Sequence, residues 1–207
     1  MNSKKLLSRL LTPLVLGFVI QTAHATSTTL TGTLSSDDQV IPYNFTSTTT
    51  QTYNFFTTSY GGGMNLNGTN TAAGGFVPVL TLFNANGTVI GPSSTGGAVD
   101  RVTGLSNDAF LTETLGPGSY ILDLSEFPNV AIGNLADGFL FAGQGNFTGG
   151  QCTGAPGSFL ETDTIPCTQR TNNYSLNVAT AATPEPATWL LVLPATGLFL
   201  VGRRYLA

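Results

Sequence analysis

Chemistry in the middle of this 207-residue chain would have to come from carboxylates, hydroxyls and tyrosines, because the other common reactive groups, histidine and lysine, are absent there. The single histidine, His24, lies near the N-terminus, and between the two apolar ends the only Lys or Arg residues are Arg101 and Arg170. That distribution removes from the middle of the chain a Ser-His-Asp triad, a Cys-His pair, a Schiff-base lysine and a His-ligated zinc site. Three acids remain close enough in sequence to consider together. Glu113, Asp123 and Glu126 could supply the two carboxyl groups of a glycosidase, which must face one cleft about 5 to 9.5 Å apart. Asp123 falls in an alternating pattern, which predicts a solvated strand residue rather than a catalytic one. Asp37, Asp38 and Asp100 are the acids available to calcium, which takes about six to eight oxygen ligands with carboxylates among them. Adjacent acids in a loop are ordinarily just solvated, so no metal, cofactor or catalytic residue is assigned.

Charge narrows the partners further. Ten carboxylates stand against Arg101 and Arg170 between residues 26 and 183, which leaves this part near −8. Nucleic-acid binding depends on neutralising phosphates with Lys and Arg, so nucleic acid is excluded as a partner class. The same deficit argues against holding an anionic polysaccharide by charge alone. Cys152 and Cys167 are the only cysteines. In an oxidising compartment they are expected to pair, closing a loop of about fifteen residues and contributing roughly 3 kcal/mol on the chain-entropy model.

The elements at the two ends read as addresses. Lys4, Lys5 and Arg9 precede an apolar stretch over 10–20, and Ala23-His24-Ala25 places small residues at the positions that signal peptidase reads. Cleavage after Ala25 would make Thr26 the first residue of an exported protein. At the other end, residues 187–202 carry no charge and as a helix would run about 24 Å, short of a hydrocarbon layer of roughly 30 Å. Arg203 and Arg204 follow, favouring the cytoplasmic side of an inner membrane that the tail would occupy transiently. Pro184 and Pro186 hold the segment around Glu185 extended, as an accessible peptide.

Pro184-Glu185-Pro186, Trp189, a short apolar run and a terminal arginine pair, in that order, resemble the PEP-CTERM sorting tail of exported bacterial proteins. The resemblance implies that a membrane-embedded exosortase reads Pro184-Glu185-Pro186 and that the apolar segment and its basic end are removed. It also implies a Gram-negative cell envelope or extracellular location, in a biofilm or floc rich in exopolysaccharide. Within the tail, Leu193-Pro194-Ala195-Thr196-Gly197 spells a sortase-type motif, but only residues 198–202 separate it from the arginines, too few for the span that follows such motifs. An uncleaved C-terminal anchor helix is the remaining alternative. The expected division is therefore a signal peptide over 1–25, an ectodomain over 26–180 and a sorting tail over 181–207 with a transmembrane helix over 187–202.

Short runs rich in Thr, Val, Leu, Phe and Tyr dominate the middle, at 28–34, 40–45, 52–59, 77–83, 109–115, 119–125 and 174–179. Several alternate with period two and no long window has helical periodicity, so the spacing predicts strands. Asn86-Gly87 and Gly116-Pro117-Gly118 each predict a hairpin turn, while 61–75 and 143–157 read as Gly-rich loops. The fold expected is all-β, an antiparallel β-sandwich of jelly-roll-like form. Its core would draw on Phe45, Tyr53, Phe55, Leu80, Leu82, Leu111, Leu115, Tyr120, Leu122, Leu124 and Leu176. An apolar strand into Asn86-Gly87, Asp108 before an apolar strand and the Gly116-Pro117-Gly118 turn into Ser119-Tyr120 are similar to the bacterial pre-peptidase C-terminal sandwich. They are closer still to a variant of it found on PEP-CTERM proteins. The resemblance covers most of 28–179 and implies the fold. Relatives often carry acids that could ligate calcium where this chain has Val77 and Ser93-Ser94.

Three functions are compatible with these features. The first is a non-enzymatic surface or matrix protein, processed by signal peptidase and exosortase and associated with exopolysaccharide. The second is a carbohydrate-binding module using aromatic rings in or near Gly-rich loops: Tyr60, Phe76, Phe127, Phe139, Phe141 and Phe147, with Phe139 and Phe147 the foremost glycan contacts. Against this, such rings commonly cap the ends of a sandwich. The third is a carboxylate-dependent glycan hydrolase.

Overall fold

The computed structural model describes residues 26–93, 107–148 and 169–181. Ten strands carry it: β1 Ser27–Thr33, β2 Ile41–Ser47, β3 Gln51–Thr57, β4 Gly63–Met64, β5 Asn70–Thr71, β6 Pro78–Asn84, β7 Val89–Ser93, β8 Phe110–Leu115, β9 Gly118–Glu126 and β10 Asn173–Thr180. Helix among these residues is limited to one 3-10 turn, Leu135–Asp137, and none is long and apolar enough to cross a membrane. The alternation of apolar and polar side chains located seven of the ten strands to within two residues, because a half-buried strand needs one greasy face.

Two four-stranded sheets form, in the orders β1-β10-β3-β8 and β2-β9-β6-β7, with every ladder antiparallel. The pairs nest. First strand lies beside last, β2 beside β9, β3 beside β8, and the nested pairs fall alternately into the two sheets, as when one long hairpin is rolled up. Of the two turns expected to make hairpins, Asn86-Gly87 does so: it joins β6 to β7, with Gly87 at φ +77° and its N–H donating to the Asn84 carbonyl at 2.9 Å. Gly116-Pro117-Gly118 does not. It connects β8 in one sheet to β9 in the other, so the chain crosses the sandwich there. Gly and Pro specify a tight turn here, but a tight reversal says nothing about whether the next strand pairs with the last or packs across from it.

The core lies between the sheets. Tyr53, Phe55, Leu111, Leu115, Leu176 and Val178 from one sheet meet Leu80, Leu82, Leu122 and Leu124 from the other, and Phe45 and Tyr120 pack against them from the margin. Each buried side chain is worth roughly 1.5 to 3 kcal/mol before ordering costs. Phe45 ties β2 to both layers, its ring 5.1 Å from Tyr53, 5.6 Å from Phe55 and 5.5 Å from Tyr120, spacings at which rings attract beyond their buried area.

In the second sheet, β6 and the latter half of β9 are buried on both faces. Val79, Thr81 and Phe83 of β6 and Asp123 and Ser125 of β9 point away from the core, yet none is more than 3% exposed. Residues 127–148 belong to the cover: Ser125 Oγ donates to the Asn129 carbonyl at one end of β9, and Leu135 N–H donates to the Gly87 carbonyl at the far end of β6. Asp123 is therefore not the solvated residue its alternation predicts. Burial pushes its carboxyl up to about 6, and Oδ1 has no hydrogen-bond partner among the described residues.

A measurable pH dependence follows from Asp123. The folded state holds this proton to about pH 6, an unfolded aspartate only to about pH 4. The group therefore favours the folded state most below pH 4, and that contribution falls away as pH rises through 6. The difference converts to about 3 kcal/mol at full value and to about half of that after discounting for screening. Asp123→Asn is expected to melt about 4 °C above wild type at pH 7.5, with the two midpoints converging by pH 4. Calorimetry of both proteins across that range checks it, and a constant offset would contradict it.

Candidate functional site

The acids weighed for hydrolysis are not brought to one cleft. Glu113 lies on the core-facing side of β8, in register with Tyr53 and at the sandwich margin, where Gly91 leaves room for it: a Cβ there would stand 2.6 Å from its Oε1. Asp123 faces the other way, from the opposite sheet, beneath the cover. Glu126 is fully buried at the end of β9, opposite Pro78. Asp123 and Glu126 fall on opposite faces of β9, and Glu113 lies in the other sheet, about 10 Å away across the sandwich.

Asp37 and Asp38, in the turn between β1 and β2, have become anchors. Asp37 is fully buried, and its Oδ2 accepts Thr148 N–H at 2.7 Å and Thr148 Oγ1 at 2.6 Å. Its own N–H donates to Asn146 Oδ1 at 3.2 Å. Asp38 accepts from Ser36 Oγ and, through Oδ2, from Gly145 N–H at 3.0 Å, and the Ser36 hydrogen bond leads the effects that hold its carboxyl below the usual range. Asn129 completes the arrangement, donating Nδ2 to the Asp38 carbonyl at 3.1 Å and accepting Phe141 N–H at 2.9 Å. The expectation that these adjacent acids are merely solvated fails for Asp37, because residues 145–148 return from far along the chain to use it. Among the described residues no cluster of three or more His, Cys, Asp or Glu side chains could hold a metal.

What the anchors hold in place is a pair of rings. Phe141 and Phe147 stack at 4.2 Å with an interplanar angle of 16°, both half-buried. Phe147, one of the two foremost glycan contacts, is thus paired with Phe141, whereas Phe139, half-buried, is tied by its backbone to Ala131. Leu140, Ile132 and Phe127 on the same segment are about half exposed. Tyr60 and Phe76 are not available as ligand contacts: both are fully buried, and the Arg170 guanidinium lies 3.9 Å from the centre of the Tyr60 ring. Their position beside Gly-rich loops suggested exposure, but the loops fold over the end of the sandwich. Gly74 N–H donates to the Tyr60 carbonyl and Thr171 N–H to the Gly74 carbonyl.

Sequence reasoning missed a second constellation altogether. Asn65, in the short loop joining β4 to β5, sends Oδ1 to Thr58 Oγ1, Ser175 Oγ and Asn177 Nδ2 at 2.7 to 3.0 Å. Its Nδ2 donates to Thr69 and Thr71. This network ties the 63–71 loop to the outer face of the β1-β10-β3 sheet. Ser, Thr and Asn at outward strand positions normally signal solvent, and nothing local reveals that a loop will lie on them.

The processing residues Ala23 and Ala25, the sorting residues Pro184, Glu185, Pro186, Arg203 and Arg204, and the cysteines Cys152 and Cys167 lie outside the described residues. Thr26 lies within them, and its N–H donates to Thr180 Oγ1 at 2.9 Å.

No protein-family model matches this chain, and no curated protein matches its sequence. Among solved structures it is similar to the pre-peptidase C-terminal domain of a collagenase from Bacillus anthracis, at 11% identity and a TM-score of 0.36, over 75% of this chain and 89% of that one.

Proposed function

We propose that the protein is an exported, non-enzymatic surface or matrix component that is trimmed at both ends and presents its β-sandwich among exopolysaccharide. Signal peptidase would cut after Ala25, and exosortase would act at Pro184-Glu185-Pro186 once the apolar tail has paused in the inner membrane. The observation that carries this reading is where the sandwich begins and stops. Its first strand opens at Ser27 and its last closes at Thr180, paired with each other, so both signal-like segments fall outside the strand ladder. Trimming at either site would leave every strand pairing among the described residues intact. Intact-mass spectrometry of the protein recovered from its native culture is expected to find Thr26 first and nothing beyond residue 186. Recovery of residues 184–207 still attached would reject the sorting step.

A carbohydrate-binding role is favoured by one feature, the anchored Phe141–Phe147 stack, because paired rings beside polar loop groups are how proteins commonly grip sugar faces. On a glycan array, Phe147→Ala is expected to lose at least tenfold in binding with the melting temperature within about 3 °C of wild type. Equal loss of fold and binding would make the stack a structural cap instead.

A further inference from the structure

The four edges of the two sheets are not equally protected. An open edge offers a row of free N–H and C=O groups to any other strand, and proteins commonly blunt it with Pro, charge or a bulge. Three edges carry such a device. Edge strand β2 contains Pro42, β7 contains Pro92 and a register shift opposite Leu82 and Phe83, and β8 contains Glu113. The fourth, β1, reads Ser-Thr-Thr-Leu-Thr-Gly-Thr, with no charge, no proline and an unbroken seven-residue register against β10.

Its outward groups can be assigned. Thr180 N–H donates to the Thr26 carbonyl and Leu34 N–H to the Asn172 carbonyl, so the even-numbered residues of this stretch exchange hydrogen bonds with β10. Antiparallel ladders alternate. The N–H and C=O of Ser27, Thr29, Thr31 and Thr33 therefore point away from the sheet, and Ser27, Thr31 and Thr33 are exposed.

We infer that β1 is a self-association edge, pairing antiparallel with β1 of a second copy about a two-fold axis through Leu30. The strand is complementary to itself in that register. Thr29 meets Thr31 of the second copy and Ser27 meets its Thr33, each pair exchanging the outward backbone bonds. Leu30 meets Leu30 on the core-facing side, so apolar faces apolar and hydroxyl faces hydroxyl, with no charge to oppose another. The β1-β10-β3-β8 sheets of the two copies become one continuous sheet of eight strands. Because the other edges are blunted and the contact is isologous, association stops at the dimer and does not run on into fibres. The inference is independent of the export reading.

The test uses the full chain. Sedimentation at about 50 µM is expected to give twice the monomer mass for wild type. Thr31→Lys and Thr31→Pro should each raise the dissociation constant at least tenfold, with the circular dichroism spectrum unchanged, since both alter only the outward side of an edge strand. Leu30→Cys is expected to form a reducible cross-link between copies on mild oxidation, because Leu30 would stand about 4.5 Å, Cα to Cα, from its counterpart in a non-hydrogen-bonded pair. Asn44→Cys, exposed on β2, should not. A monomer at that concentration without the Leu30→Cys cross-link, a dimer indifferent to both Thr31 substitutions, or growth beyond the dimer would each overturn the inference. If Leu30→Cys fails to fold, the Thr31 pair decides alone.

Discussion

Replacing Asp108 with alanine is expected to lower the thermal midpoint by about 10 °C, the largest effect of any single polar substitution in the sandwich. Asp108 is fully buried just before β8. Its Oδ1 accepts Thr57 Oγ1 at 2.8 Å and Tyr60 N–H at 3.0 Å, and its Oδ2 accepts Gly61 N–H at 2.7 Å. Thr57 Oγ1 in turn accepts Ala109 N–H at 2.9 Å, so one carboxylate sets the end of β3, the start of β8 and the loop between β3 and β4. Burial raises its pKa and these hydrogen bonds oppose the rise. Alanine would strand a buried backbone donor, a half-buried one and a buried hydroxyl, at about 1 to 3 kcal/mol each, for a loss near 4 kcal/mol. Asp108→Asn keeps the shape and one acceptor but turns an NH2 toward Gly61 N–H, so about half that loss is expected. Denaturant titration of the three proteins checks the order, and an alanine variant as stable as the asparagine one would show that the carboxylate is not the hub described.

Asn65→Ala should follow closely, with a loss of about 3 kcal/mol. Thr58, Ser175 and Asn177 are buried and all donate to Asn65 Oδ1. Removing that oxygen leaves the Asn177 amide without its acceptor, while the two hydroxyls can rotate in search of another. Asn65→Asp separates geometry from donor count. Thr69 and Thr71 now accept from Asn65 Nδ2, but hydroxyls can turn and donate to a carboxylate instead. The aspartate variant is therefore expected to lose less than half as much as alanine at pH 7, read from the same titrations, and an equal loss would mean that the network cannot reorient.

The contrast between these residues shows what the sequence makes legible. Leu80, Leu82, Leu122 and Leu124 were readable as core because a strand's side chains alternate and the apolar set must face inward. Asn86-Gly87 was readable as a hairpin because few residues adopt its backbone angles. Asp108 carried a partial signal, an acid set immediately before an apolar strand. Asp37, Asp123 and Asn65 carried none, because their burial is decided by segments that return from elsewhere: 145–148 to Asp37, the 127–148 cover over the outer face that bears Asp123, and strand β10 to Asn65. Contacts between distant residues leave no periodicity. The same limit explains the crossing at Gly116-Pro117-Gly118, where local chemistry specifies a tight turn and only the whole nested pairing specifies which sheet receives the next strand.

The pairing of β1 with β10 has a final consequence. Thr26 and Thr180 touch, so the polypeptide enters and leaves the folded unit through a single doorway. A host protein could carry this sandwich as a side branch grafted into one of its surface loops without its own path being stretched. Joining the two residues directly would turn the unit into a ring, whose starting point is a matter of where it is cut.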